Sequence, residues 1–268
     1  MEEKIWGYIQ KLRETSPLVH NITNYVVMNS SANALLAAGA SPVMAHSEDE
    51  VEDMVAIAGA LVINIGTLSK KWVQAMKMAI RQANKLNKPV VFDPVGAGAT
   101  PYRNETIREL LQTGTMSIIR ANASEIMAIV SAEHRTKGVD STQHSENALE
   151  SAKLLLREYG SVISISGKTD YIVSAGTIAE IHNGHEFMPG ITGMGCAATA
   201  LTGAFAAVTD DFAEAAVSGM ALMGVAGELA ARSSEGPGSL QVRFFDTLHR
   251  LTREEFLGTI KLKIRSDG

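Results

Sequence analysis

Cysteine is almost absent from this chain: Cys196 is the only one in 268 residues. A single thiol excludes an intramolecular disulfide and any multi-cysteine zinc site. The seven histidines do not fill that gap, because they are scattered with no HxxxH or other metal-ligand spacing. Aromatic residues make up only 5 %, which argues against a surface built to stack sugars or bases. Neither sign of charge dominates: 20 % of residues are charged, the net charge is −5, and no basic patch marks the chain for nucleic acid or an acidic membrane. No apolar run reaches about 18 residues, so no membrane-spanning helix is expected. The opening MEEKIWGYIQKLRE is charged and amphipathic, unlike a secretory leader, and the expectation is a soluble cytoplasmic protein. The glycines at 190–195 are not followed by the Gly-Lys-Ser/Thr of a phosphate loop, and neither a GxSxG elbow nor a Ser/His/Asp order appears.

The chain does have 46 % apolar residues, with alanine, glycine and methionine prominent. That composition suits close helix–sheet packing with thioether filler. SPVMA (41–45), ALVINIG (60–66), PVVFDPV (89–95), MSIIRAN (116–122) and SVISISG (161–167) are short, nearly continuous apolar runs. Such runs fit strands buried on both faces of a parallel sheet. Helical patterns alternate with them at 23–38, 47–59, 69–86 and 146–159, giving βαβ units. The pattern then changes. DYIVSAG (170–176) and TIAEIHNGHEF (177–187) read as antiparallel strands, with Asn183-Gly184 as the hairpin turn. Two Ala-rich helices follow, at about 195–208 and 211–233, with at least one expected to be central and buried. After the SSEGPGS loop comes a C-terminal helical segment, and the polar stretch 131–145 reads as a surface connection. No linker or repeat divides the chain, so one α/β domain over residues 1–268 is expected.

Ligands of open α/β sheets bind beyond the carboxyl ends of the strands. Asp93 with its glycines, Arg120-Ala121-Asn122 leading to Glu125, and Ser166-Gly167-Lys168 all fall there. Asp93 at the end of a buried strand suits metal or phosphate work, or a turn. Glu125 lies three residues after Asn122, the spacing of a capping box, and a capping glutamate can also touch a metal-bound water. GITGMGC (190–196) turns glycines into a helix start, where backbone N–H groups and the helix dipole favour an anion. Three roles stay open for Cys196: inert packing, a nucleophile, or a thiol carried by a phosphate-binding turn.

LVHNITNYVVMN (18–29), AGASPVMAHS (38–47), VFDPVGAGAT (91–100), RANASEI (120–126) and GITGMGCAATALTGAF (190–205) together resemble the hydroxyethylthiazole kinase family, over nearly the whole chain and in order. The resemblance implies a ribokinase-like three-layer α/β/α sandwich with a mostly parallel central sheet and antiparallel edge strands. It implies transfer of the γ-phosphoryl group of ATP to the hydroxyl of 4-methyl-5-(2-hydroxyethyl)thiazole, a salvage step toward thiamine. It further implies Mg²⁺ and a homotrimer with the thiazole site near a subunit interface. Carried onto this sequence, Met44, Asn24 and Gly193 are thiazole-site positions, Arg120, Ser166 and Gly195 ATP-site positions, and Asp93 and Glu125 the acidic positions serving the metal. Cys196 stands where the wider superfamily keeps an aspartate base. At a helix N-terminus its thiol is expected to have a lowered pKa and to act as a weak base or an orienting group. Hydroxymethylpyrimidine or pyridoxal kinases, a nicotinamide-nucleotide-hydrate dehydratase and a non-catalytic thiazole sensor are the alternatives.

Overall fold

A computed structural model describes residues 1–134 and 146–267. Nine strands form one sheet: β1 (Leu18–Ile22), β2 (Ser41–Val43), β3 (Ala60–Asn64), β4 (Val90–Asp93), β5 (Ile118–Asn122), β6 (Val162–Ser166), β7 (Asp170–Ser174), β8 (Thr177–Ile181) and β9 (Leu262–Ser266). Their order is β2-β1-β3-β4-β5-β6-β7-β8-β9. Pairing is parallel from β2 to β6 and antiparallel from β6 to β9.

The near-continuous apolar strands are explained by two separate cores, one on each face. Val19, Val62, Val91 and Ile118 join one core, while Ile22, Leu61, Ile63, Phe92 and Ile119 join the other. Successive strand residues point to opposite faces, so a sheet covered on both sides needs apolar side chains at both parities. The first core packs under α1 (Glu2–Thr15), α2 (Met28–Ala38), α8 (Met194–Ala206), α9 (Phe212–Ala231), α10 (Pro237–Arg250) and α11 (Arg253–Thr259). The second packs under α3 (Val51–Ile57), α4 (Lys70–Lys85), α5 (Pro101–Thr113), α6 (Ala123–His134) and α7 (Glu146–Tyr159). The three-layer reading therefore holds.

Four local expectations change. LVHNI forms a strand that the apolar pattern hides, because the buried His20 and Asn21 interrupt it. The helix expected from Thr23 begins only at Met28, leaving Thr23 and Asn24 in the loop after β1. The hairpin turn is Ala175-Gly176, with Gly176 at φ 76°, and not Asn183-Gly184. The Asn183 amide works at long range instead: it donates to Glu228 Oε2 and the Thr259 carbonyl, both at 2.8 Å, and accepts from the Lys261 N–H at 2.7 Å. The C-terminal segment ends in β9, whose lysine and arginine on an exposed edge conceal a strand. Of the expected connection at 131–145, the first residues finish α6 and 135–145 lie outside the described residues. By length and composition α9 could cross a membrane, yet 72 % of its apolar window is buried and it packs against α8 and α10.

Candidate active site

Parallel register sets the site. It places Asn64 beside Asp93 and Asn122 beside Ser166 at the carboxyl ends of their strands. Across from them α8 begins. Gly193 is its N-cap at φ 85°, in the left-handed region, and a Cβ there would stand 2.6 Å from Val27 Cγ1. Both backbone and space require glycine. No side chain caps α8, so the first-turn N–H groups are left to a ligand, with the helix dipole behind them.

A cleft of about 880 Å³ opens between these elements, lined among others by Asp93, Arg120, Glu125, Ser166, Gly193, Gly195 and Cys196. Arg120, buried in β5, donates from Nη2 to Ser166 Oγ at 2.5 Å and holds Nη1 4.0 Å from Asp93 Oδ2. Its Nε is buried and has no hydrogen-bond partner among the described residues, while the guanidinium itself lines the cleft. Gly195 lets the helix start lie against it: a Cβ would meet Arg120 Nη1 at 2.8 Å. The helix start within the anion cradle expected at 190–196 thus has a cation beside it.

Asp93 is 1 % exposed, and its Oδ2 accepts from Thr199 Oγ1 at 2.7 Å and Asn64 Nδ2 at 2.8 Å. Burial pushes its carboxyl up from 3.8 to about 6, against the pull of Arg120 and the two donors. Asp170, below the Ser166 turn, is likewise raised by burial to about 6 and accepts from the Gly167 N–H at 2.9 Å. Glu125 makes the expected capping box: Oε2 accepts from the Asn122 N–H, and its own N–H donates to Asn122 Oδ1, each at 2.9 Å. Its Oε1 accepts from the Gly96 N–H at 2.8 Å, tying α6 to the loop after β4.

Cys196 departs from expectation. Burial, then the Asp93 charge, drive its thiol up from 9.0 to about 11, the opposite direction to the expected lowering. Its sulfur accepts from Asn64 Nδ2 at 3.2 Å and Asn24 Nδ2 at 3.6 Å. Asn24 therefore reaches the site from beneath Cys196 without lining the cleft. Met44 does not line it either. It follows the edge strand β2, half-buried, in a segment tethered by the buried His20, whose Nε2 lies 2.8 Å from the Ala45 carbonyl.

Asn64 and Thr199 escaped the sequence reading, although they hold Asp93. Their one trace is a polar residue inside an otherwise apolar strand or Ala-rich helix. The Asn64 amide orientation is fixed from both ends: Oδ1 accepts from the Gly66 N–H and Asn24 Nδ2, each at 2.9 Å, while Nδ2 faces the Asp93 carboxylate.

A profile of the "Hydroxyethylthiazole kinase family" matches residues 9–254. The hydroxyethylthiazole kinase of Syntrophus aciditrophicus is 54 % identical over 261 residues, covering 97 % of each chain. That of Vibrio parahaemolyticus is 51 % identical over 263 residues, 98 % of this chain and 99 % of the other. The solved hydroxyethylthiazole kinase of Pyrococcus horikoshii superposes with a TM-score of 0.90 at 40 % identity, over 98 % of this chain and 99 % of that one. A ribokinase-like superfamily protein of Enterococcus faecalis, at 15 % identity, TM-score 0.66 and coverage of 89 % and 87 %, shares the fold. By a profile over most of its length and by identity of about half across nearly all of it, this chain belongs to the hydroxyethylthiazole kinase family.

Proposed function

We propose that this chain, working as one unit over residues 1–268, transfers the γ-phosphoryl group of ATP to the hydroxyl of 4-methyl-5-(2-hydroxyethyl)thiazole, with Mg²⁺. The observation that carries the reading is the uncapped start of α8 facing Arg120 and Asp93 across one cleft, in a chain of this family. Phosphoryl transfer passes through a loose transition state in which charge lies on the phosphoryl oxygens, so positioning and neutralisation do most of the catalysis. The N–H groups of Met194, Gly195 and Cys196 bind those oxygens, and Arg120, oriented by Ser166, neutralises them from the sheet side. Cys196, whose thiol is pushed up by burial and by the Asp93 charge, orients the alcohol in this reading, and charge neutralisation carries the step.

The donor set fits Mg²⁺ brought by the nucleotide. Among the described residues no cluster of three or more His, Cys, Asp or Glu forms a protein cage. Mg²⁺ ordinarily keeps waters and takes one or two carboxylates plus phosphate oxygens. Asp93 Oδ1 has no protein donor among the described residues, and the Glu125 oxygens already accept backbone N–H groups. Asp93 would therefore hold the ion, directly or through water, and Glu125 its waters. When bound, the ion would neutralise negative charge on the phosphate oxygens.

The same reading makes the assembly a cytoplasmic homotrimer whose subunit contact completes the thiazole site. Tyr25 and Val26, next to Asn24, are 63 % and 68 % exposed, and Met44 lies outside the single-chain cleft; both support it. Sedimentation should return three times 28.6 kDa. The deciding assay follows ADP release from ATP and Mg²⁺ with hydroxyethylthiazole beside pyrimidine and pyridine alcohols. A preference for the thiazole of about 10²-fold or more in kcat/KM is expected, and equal use of pyridoxal or hydroxymethylpyrimidine would refute the substrate.

A further inference from the structure

The loops that leave β3 and β4 are joined by a side chain outside the cleft lining. Arg103, in the first turn of α5, donates from Nη1 to the carbonyls of Ile65 and Val95, both at 2.7 Å, and from Nη2 to that of Gly66 at 2.9 Å. The first two carbonyls belong to peptide units whose N–H groups hold site residues. In the Ile65–Gly66 unit, the N–H donates to Asn64 Oδ1 at 2.9 Å. In the Val95–Gly96 unit, the N–H donates to Glu125 Oε1 at 2.8 Å. A trans peptide is planar, with C=O and N–H pointing opposite ways, so fixing one pole aims the other. One guanidinium nitrogen therefore links Asn64 to Glu125 through two peptide planes. Asn64 passes the constraint on to Asp93 Oδ2 at 2.8 Å and Cys196 Sγ at 3.2 Å. Gly96 admits the arrangement: it sits at φ 74°, and a Cβ there would press to 3.3 Å on Arg103 Cδ.

We propose that Arg103 is a positioning residue for phosphoryl transfer, holding Asn64, with Asp93 and Cys196 behind it, and Glu125 in one mutual arrangement. A lysine keeps the charge but cannot reproduce the planar fork across the two loops. The kinetic half of this inference rests on the kinase reading; the thiol half does not.

The test uses the full chain as wild type, Arg103→Met and Arg103→Lys. Arg103→Met should lower kcat by about 10-fold or more with KM for the thiazole alcohol changed less than about 3-fold, since small displacements of reacting groups cost catalysis more than binding. Arg103→Lys should fall between. Cys196, the only thiol, should react with iodoacetamide at least about 3-fold faster in Arg103→Met, because its buried amide partners lose their anchor. A kcat within about 2-fold of wild type, or an unchanged alkylation rate, overturns the proposal. If Arg103→Met does not fold by thermal melting, the lysine variant decides by the same two readouts. A wild type inactive on every alcohol defeats the kinase reading, and the alkylation rate then decides the role of Arg103 alone.

Discussion

Replacing Asp93 with asparagine should make the protein more stable and nearly inactive. The Asp93 carboxyl is 1 % exposed, and burial raises it from 3.8 to about 6 despite Arg120 at 4.0 Å and two donors on Oδ2. A folded-state value above the unfolded one means that the folded chain prefers the protonated acid. That stability is fully present below pH 3.8 and is lost as pH rises through about 6. The difference of about 2.2 units, at about 1.36 kcal/mol each, comes to about 3 kcal/mol against the wild type at neutral pH. Asparagine never ionises, and its side-chain oxygen can still accept from Asn64 and Thr199. At pH 8 the variant should therefore melt roughly 5–10 °C above wild type, and near pH 4 the gap should close. The assay is a pair of thermal melts at each pH with chelator and without nucleotide, alongside ADP release with Mg²⁺. Turnover should fall by about 10²-fold or more, because the buried carboxylate facing the phosphates is gone. A variant that melts below wild type at pH 8 would refute the reasoning, since the ionised carboxylate would then be a net stabiliser through Arg120.

Two further variants separate the remaining roles. With its thiol at about 11, Cys196 is ionised in roughly 3 molecules per 10,000 at pH 7.5; Cys196→Ala should keep kcat within about 10-fold and an unchanged pH profile, whereas a loss of about 10²-fold with a vanished alkaline limb would restore the thiol as a base. Glu125→Gln puts an amide NH₂ against the N–H of either Gly96 or Asn122, at a cost of about 1–3 kcal/mol; the melt should drop and the Mg²⁺ concentration for half-maximal activity rise, and an unchanged Mg²⁺ titration would remove Glu125 from the metal's surroundings.

The parallel half of the sheet was legible because strands buried on both faces are apolar at both parities. The site edge was legible because polar residues interrupt or end those strands near their carboxyl ends: Asp93, Arg120 and Ser166, singled out in this way, all line the cleft. What stayed hidden was polar and buried. His20 and Asn21 disguised β1, and Asn64 and Thr199 looked like interruptions in an apolar strand and helix until Asp93 appeared between them. Asn183-Gly184 has turn chemistry, but the Asn183 amide bonds to groups 45 to 78 residues away, a distance that no local pattern encodes. Met44 marks the other limit. Its place in a thiazole site depends on a resemblance, and within one chain it stands apart from the cleft.

The thiol at position 196 has an electrostatic reason that the helix-terminus argument missed. Burial raises both groups, Asp93 to about 6 and Cys196 to about 11, and the Asp93 charge adds to the rise of the thiol. Between those limits the pair carries one negative charge, on Asp93, and one neutral S–H group. Asn64 donates to both members, so the carboxylate and the thiol are held by the same amide. On the proposed reading, a nucleotide brings several negative charges into this cleft, and Arg120 and the start of α8 offset them. A second ionised group beside Asp93 would weaken that balance. On the proposed reading, the neutral thiol presents a hydrogen-bonding group to the alcohol without adding charge, so the raised thiol and phosphate binding work in the same direction.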